Sequence, residues 1–385
     1  MPFDVVIVGA GLVGASLAGA LAGKGLEIAV VEPHPPVGAQ EGWDARVYAI
    51  SPGSAAFLHS CGMWPEDDAR IGRVETMRVF GDDARSQLTF DAYEAGLREL
   101  AHIVESGSLQ RTAWDRLAAA PGVTLFPGRR CERLDVAADG ARLALDGDCV
   151  LETRLVVGAD GARSWVRDAA GIGVEARPYH QMGVVANFAT ARPHRGVAWQ
   201  WFRRDGILAW LPLPGDRMSM VWSTSEAHAA ELTALGAGEL AATVAAAGHD
   251  MLGALEVITP AQAFALRLAR VAALVRPRVA LVGDAAHNVH PLAGQGVNLG
   301  YRDARALAAV LLGRGPQTDC GDYALLRAYE RARREDILAT GLATDGLKHL
   351  FNNDSPLLAG LRNLGLAFTD RLAPVKRLLV QHAVA

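Results

Sequence analysis

The chain has 385 residues, half of them apolar, with 38 Lys and Arg against 42 Asp and Glu and a formal net charge of −4. That length supports two domains, or one nucleotide-binding domain carrying a large insert, around a substantial core. Charges of both signs are mixed along the sequence, so no broad basic surface is set aside for DNA or RNA, and no nucleic-acid partner is expected. Cys61, Cys131, Cys149 and Cys320 form neither a CxxC pair nor a metal-ligand cluster, which points to buried or incidental thiols and a cytoplasmic compartment. No basic segment or cleavage site precedes Asp4-Val-Val-Ile-Val-Gly9, so no signal peptide is expected. The apolar run Val271 to Val282 is broken by Arg276 and Arg278, so any membrane contact should be peripheral.

The first element is Val5-Val-Ile-Val-Gly-Ala-Gly-Leu-Val-Gly14, which predicts a strand, a glycine turn and a helix running on from Leu12 to Ala22. A second strand, Ile28-Ala-Val-Val-Glu32, follows. In this arrangement Gly9 permits the tight turn, Gly11 lets a pyrophosphate reach the backbone, and Gly14 lets helix and strand pack closely. Glu32 stands at the strand end, about twenty residues beyond the glycines, where a carboxylate accepts both hydroxyls of a ribose.

Ser54 to Gly62 predicts a short helix, Val74 to Phe90 short strands in a more polar stretch, and residues 108–120 a helix with Ser108 as its cap. Strands are expected again at Val123-Thr-Leu-Phe126, Arg142 to Leu145 and Arg154-Leu-Val-Val-Gly158. From about residue 175 the pattern becomes antiparallel, with strands at Val197 to Phe202, Ile207 to Leu213 and Met218 to Trp222. Trp199, Trp201, Trp210 and Trp222 fall here; cross-strand packing is their ordinary role, and as a group they favour an apolar cavity. A helical pattern over 225–250 precedes the strand Arg278-Val-Ala-Leu-Val-Gly-Asp284, and helices dominate from Val297 onward.

Two further segments accompany the glycine fingerprint. In Gly158-Ala-Asp-Gly-Ala-Arg-Ser164, Asp160 and Gly161 bring a carboxylate and bare backbone to a strand end and Arg163 offers a phosphate partner; a plain Asp-Gly turn fits the same residues. In Val282-Gly-Asp-Ala-Ala-His-Asn-Val-His-Pro-Leu-Ala-Gly-Gln-Gly-Val-Asn298, Asp284 is placed to accept hydrogen bonds from a ribityl chain, and Gly294 to Gly296 to present backbone donors at a helix start.

Taken together, these segments resemble the FAD-dependent aromatic monooxygenases of group A, related to para-hydroxybenzoate hydroxylase, over nearly the whole chain. The narrower resemblance is to the ubiquinone-biosynthesis hydroxylase family. It rests on His290-Pro-Leu-Ala-Gly-Gln-Gly-Val-Asn-Leu-Gly300, Asp44-Ala-Arg-Val-Tyr-Ala-Ile50, Leu211-Pro-Leu-Pro-Gly215 and Arg371-Leu-Ala-Pro-Val-Lys-Arg377. The resemblance implies an α/β fold: a Rossmann-like FAD-binding domain (residues 1–73, 101–174 and 276–385, the last with C-terminal helices) interleaved with a substrate domain of mixed and antiparallel sheet (74–100 and 175–275). It also implies that Gly9, Gly11, Gly14 and Glu32 hold the ADP half of FAD, and that Arg46 and Gln110 lie near its pyrophosphate or ribityl region. By the same resemblance Asp160 and Gly161 take part in FAD and NAD(P)H handling, Asp284 holds the ribityl chain, and Pro291, Gly294, Gln295, Gly296, Val297 and Asn298 border the flavin ring. Ahead of Gln110 the chain reads Glu105-Ser106 where the family often has Glu-Asn.

The chemistry implied is hydroxylation of a ring carbon of a polyprenylated phenol, with NADPH or NADH as transient electron donor and O2 activated as a flavin C4a-hydroperoxide; the protein excludes water and orients the ring. His287, Pro291, Gly294 and Gln295 are the candidates beside flavin and substrate, without a unique base among them. His287 and His290 lack a third ligand, so no metal is expected. Leu357 to Leu379, interspersed with Arg362, Arg371, Lys376 and Arg377, is compatible with a membrane surface, a partner in a ubiquinone-biosynthesis complex, or packing on the FAD domain. The alternatives are a flavin reductase or dehydrogenase of a lipid, a flavin halogenase, for which no catalytic lysine can be placed, and a non-catalytic assembly protein.

Overall fold

The computed structural model describes residues 2–36, 38, 42–81, 87–203, 205–288 and 295–351, with the side chains of 68, 178 and 343–351 left out. In chain order these form β1 (Phe3–Val8), α1 (Leu12–Leu21), β2 (Ile28–Glu32), β3 (Val47–Ile50), α2 (Pro52–Ser60), β4 (Gly72–Val74), β5 (Thr76–Phe80) and β6 (Gln87–Asp91). Next come β7 (Ala101–Glu105), α3 (Ser106–Ala118), β8 (Val123–Pro127), β9 (Cys131–Val136), β10 (Ala141–Leu145), β11 (Cys149–Gly158) and α4 (Trp165–Ala169). The second half contributes β12 (Val174–Thr190), β13 (Val197–Arg203), β14 (Gly206–Leu213), β15 (Arg217–Ser225), α5 (Glu226–Ala234), α6 (Ala237–Ala247), β16 (Leu255–Val257) and β17 (Gln262–Val271). It ends with β18 (Val275–Arg276), β19 (Val279–Leu281), β20 (His287–Asn288), α7 (Gln295–Leu312) and α8 (Tyr323–Phe351).

The first sheet runs β18-β19-β11-β1-β2-β8, and β19, β11, β1, β2 and β8 are mutually parallel. Parallel strands are covered on both faces, so they read as unbroken apolar runs; Val5, Val6, Ile7, Ile28, Ala29, Val30 and Val31 are all fully buried. Helix α1 covers one face through small residues, Gly14, Ala15 and Ala18 among those it buries. The second sheet runs β20-β17-β12-β15-β14-β13-β5-β6, with β16 added at β12, and is antiparallel except where β13 meets β5. A small sheet, β3-β7-β4, joins the two: Val74 and Ile103 pack with Ala198 and Leu213 of the second sheet.

The four tryptophans do not face this junction. Trp199, Trp201, Trp210 and Trp222 share one face of the second sheet with Phe188 and Met220 and pack on Leu232, Leu240 and Val244 of α5 and α6. Trp210 meets Trp199 and Trp201 edge-on at ring separations of 6.4 and 5.0 Å. The period of two along a strand puts Ala198, Leu211 and Leu213 on the opposite face, toward the junction. The expected apolar cavity among the tryptophans is therefore a packed core closed by helices.

Local differences from the sequence reading are also physical. Helix α3 begins at Ser106, because Ser106 N–H is taken by Arg46 C=O at 2.9 Å and Gly107 N–H by Asp44 Oδ2 at 2.9 Å. The helical stretch after 225 is two helices, with Gly236 capping the second and its N–H bonded to Glu239. Strand β12 spans 17 residues and serves as partner to β15, β16 and β17, which its mixed composition does not announce.

Candidate functional site

The C-terminal ends of β1, β2, β11 and β19 bring three glycine-containing turns together, the place where open α/β sheets bind ligands. Gly9 adopts φ +101°, and a Cβ there would stand 2.5 Å from Ala159 O; a Cβ on Gly14 would stand 2.0 Å from Gly9 O. The first turn is thus clamped between β11 and α1. Gly11 is different: nothing lies within 4 Å of where its Cβ would be, and it caps α1 without a side-chain hydrogen bond. An open helix N-terminus with bare backbone beside it suits a phosphate.

Glu32 lies against this turn. Its Oε2 accepts Ala10 N–H at 2.7 Å and its Oε1 accepts His34 N–H at 2.8 Å. A carboxylate has about four lone-pair positions, so capacity for a ribose remains.

The second turn, after β11, uses Asp160 locally: Ser164 Oγ donates to Asp160 Oδ1 at 2.5 Å and Val166 N–H to Oδ2 at 3.0 Å, which fixes the start of α4. Gly161 has φ +80° and no atom within 4 Å of its Cβ position. The third turn, a 3-10 turn at Gly283–Ala285, sits on α1: a Cβ on Gly283 or Gly300 would stand 3.1 or 2.5 Å from Val13 Cγ2. Asp284 is open to solvent yet crowded by protein, so its desolvated carboxyl lies above the usual carboxylate range, with His287 and Arg46 pulling it back.

Arg46 reaches this region from the residue just before β3. Its guanidinium lies 5.2 Å from the Tyr48 ring centroid and 5.5 Å from that of Phe264 on β17, so it sits between a ring of the small sheet and a ring of the second sheet. Burial raises the Tyr48 phenol, against the nearby Arg46 charge. Tyr48 lies in the same quoted segment as Arg46, whereas Phe264 belongs to no motif and only the fold brings it beside Arg46. Gln110 is exposed on α3, one turn beyond the residue that bonds to Arg46 C=O. Below Arg46, Asp44 and Glu105 hold the backbone: Glu105 Oε1 accepts Asp44 N–H at 2.6 Å and pairs with Arg70, and Asn187 Nδ2 on β12 donates to Asp44 C=O at 2.8 Å.

The last group sits around α7. Asn298 is buried and its amide is committed, accepting Ser51 N–H at 2.9 Å and donating to Ala49 C=O at 2.8 Å. Gln295 and Val297 are half-buried in the first turn of α7, and Gly296 has open space where a Cβ would be. His287 is buried, with Nε2 2.5 Å from Asp303 Oδ2. Pro291 and Gly294 lie outside the described residues, as does the segment 357–380.

These features fit FAD: a bare phosphate-sized approach at Gly11, a carboxylate at the end of β2, a second carboxylate open at Gly283–Ala285, and a guanidinium just before β3. The class they define is a flavoprotein of the two-sheet type. The FAD binding domain family matches residues 2–340. The chain is 37% identical to the ubiquinone hydroxylase UbiL of Rhodospirillum rubrum, covering 99% of this chain and 89% of that one. It is also 37% identical to the 3-demethoxyubiquinol 3-hydroxylase of Escherichia coli, covering 100% and 98%. Among solved structures it is similar to pqsL, a probable FAD-dependent monooxygenase from Pseudomonas aeruginosa, with TM-score 0.79, 26% identity and coverage of 96% and 100%. The chain belongs to the FAD-binding monooxygenases and, within them, to the ubiquinone-biosynthesis hydroxylases. It is an FAD-dependent enzyme.

Proposed function

We propose that this enzyme hydroxylates one ring carbon of a polyprenylated phenol on the way to ubiquinone. The observation that carries this reading is the likeness along essentially the entire length of two hydroxylases named for ubiquinone compounds. The overall change balances as ring C–H, O2, NAD(P)H and a proton giving ring C–OH, water and NAD(P)+. FAD, when bound, supplies the electron transfer and the oxygen activation.

The residues of this chain bind, orient and shield. Gly11 and the start of α1 hold the pyrophosphate, Glu32 the adenosine ribose, and Asp284 the ribityl hydroxyls. Arg46, with Gln110 nearby, meets the phosphates or ribityl chain, and Gln295 to Asn298 border the ring. Asp160 and Gly161 line the approach, with Asp160 also fixing α4. On this reading residues 74–100 and 175–275 face the substrate, since β5, β6 and β12 to β17 pair in one sheet, and its junction face excludes water.

A prenylated phenol partitions into a bilayer, so the enzyme meets it at the inner face of the cytoplasmic membrane or from a partner in the same pathway. No described helix is long and apolar enough to cross a membrane. The test is product analysis with purified FAD-loaded enzyme, NADH or NADPH, and phenols that vary in prenyl length and ring substituents. A product heavier by one oxygen, dependent on the prenyl group, supports the reading. NAD(P)H oxidation that reduces the lipid without adding oxygen replaces it with a reductase.

A further inference from the structure

His287 and Gln295 are both tied to one chain of charged side chains on α7 and α8, buried except at the half-buried Asp336. From His287 the chain runs to Asp303, whose Oδ2 also accepts Gly283 N–H at 3.0 Å. Asp303 Oδ1 accepts Arg333 Nε at 2.7 Å, and Arg333 Nη1 donates to Asp336 Oδ2 at 2.6 Å. Asp336 Oδ1 accepts Arg302 Nη1 at 2.9 Å, and Arg302 Nη2 reaches Gln295 Oε1 at 3.4 Å. Asp303 is 0% exposed, His287 3% and Arg333 5%.

Two carboxylates, Asp303 and Asp336, thus face two guanidinium groups, Arg302 and Arg333, with His287 Nε2 set against Asp303. Breaking such a buried set by removing one member leaves an uncompensated charge. Helix α8 is also fixed at both ends of this contact. Tyr329 donates its hydroxyl to Leu281 C=O at 2.8 Å and Glu330 Oε1 accepts Leu274 N–H at 2.9 Å, while a Cβ on Gly341 would stand 3.3 Å from Arg270 Nη2. Arg270 on β17 is the register partner of His287 on β20. The helix therefore spans from the β18–β19 edge of the first sheet to the second sheet, with Arg333 between.

We infer that Arg333 is a positioning residue for the flavin: through Asp303 and Asp336 it sets Gly283, His287 and Gln295, and so couples the last described helix to the reactivity of the bound cofactor. This rests on the placement of the flavin beside Asp284 and Gln295 proposed above. Arg333 touches neither flavin nor substrate in that placement, so its effect is exerted through Gly283, His287 and Gln295.

The experiment compares R333M, R333K, the double variant D303N/R333M and D284A as FAD-loaded full-length proteins. The measurements are the visible spectrum of bound FAD, kcat for hydroxylation, KM for NAD(P)H and thermal stability. R333M should alter the flavin spectrum and lower kcat roughly ten- to hundredfold, as small displacements of a reacting centre do, with KM changed by less than about threefold. R333K, which keeps the charge without the planar fork, should fall between R333M and the wild type. The double variant removes both buried charges and so avoids the uncompensated charge that R333M leaves; it should show the same flavin defect. If R333M and the double variant lose stability alone, with spectrum and kcat of the wild type, the inference is overturned. If D284A also leaves FAD affinity and spectrum untouched, the flavin placement falls with it, whereas an effect of D284A alone leaves that placement standing.

Discussion

Glu32 Oε2 accepts the backbone N–H of Ala10 at 2.7 Å, joining the end of the second parallel strand to the glycine turn between Gly9 and Gly11. One carboxylate thus shapes the turn and faces the space beside it. Glu32→Ala removes both roles, and charge-assisted hydrogen bonds are worth about 1.5–3 kcal/mol. FAD affinity of the apoprotein, followed by flavin fluorescence quenching, should fall roughly ten- to hundredfold. An unchanged dissociation constant would remove Glu32 from the cofactor site.

Gly11 and Gly14 separate ligand space from packing space. Gly11 has an ordinary φ of −64° and open surroundings, so Gly11→Ala should fold with a thermal midpoint near that of the wild type, while FAD binding weakens because the methyl group occupies the pyrophosphate approach. Gly14→Ala drives a carbon to within 2.0 Å of Gly9 O. It should lose about 3 kcal/mol or more of stability, read by denaturant unfolding, because backbone has to move.

Acid sensitivity should centre on Asp303. Burial alone pushes its carboxyl up, but the charge and hydrogen bond of His287, followed by those of Arg333, outweigh this and hold it below the usual carboxylate range. A carboxyl more acidic in the folded than in the unfolded chain contributes stability that is present above the unfolded value of about 4 and lost as pH falls through the lower folded value. Thermal midpoints measured against pH should therefore drop below about pH 4 in the wild type. D303N should start lower at neutral pH and decline less over that acid range; parallel curves would show that Asp303 does not carry the effect.

Trp210 is enclosed between the second sheet and α5 and α6, on the face away from the small sheet. Trp210→Phe should cost about 1–3 kcal/mol in stability, as large-to-small core changes do. KM for the phenol should stay within about twofold, because on the proposed reading the substrate meets the other face. A large rise in KM with unchanged stability would place the substrate among the tryptophans.

The parts of the site that were legible in the sequence are those where backbone geometry restricts residue type. Gly9, with φ +101° and Ala159 O against it, and Gly14, with Gly9 O against it, tolerate no side chain, so the fingerprint announces its own fold. The parallel strands were legible because burial on both faces makes them uniformly apolar. Asn298 lay in a readable motif, yet its amide bridges Ala49 and Ser51, nearly 250 residues away, which no local pattern encodes. The tryptophans showed that a sheet existed but not which face looked toward the flavoprotein half, since that depends on α5 and α6 closing over one side. Asp303 and Arg333 lie 30 residues apart on separate helices, and as single charged residues in helical sequence they look like solvated surface.

The most direct measurement supplies purified, FAD-loaded enzyme with NAD(P)H, isotopically labelled dioxygen and a polyprenylated phenol, and follows the ring by mass spectrometry. Ring hydroxylation by this enzyme predicts a product in which one labelled oxygen atom is bonded to a ring carbon, formed in step with NAD(P)H consumed. A ring product that carries no label, or lipid reduction without any oxygen gained, would contradict it.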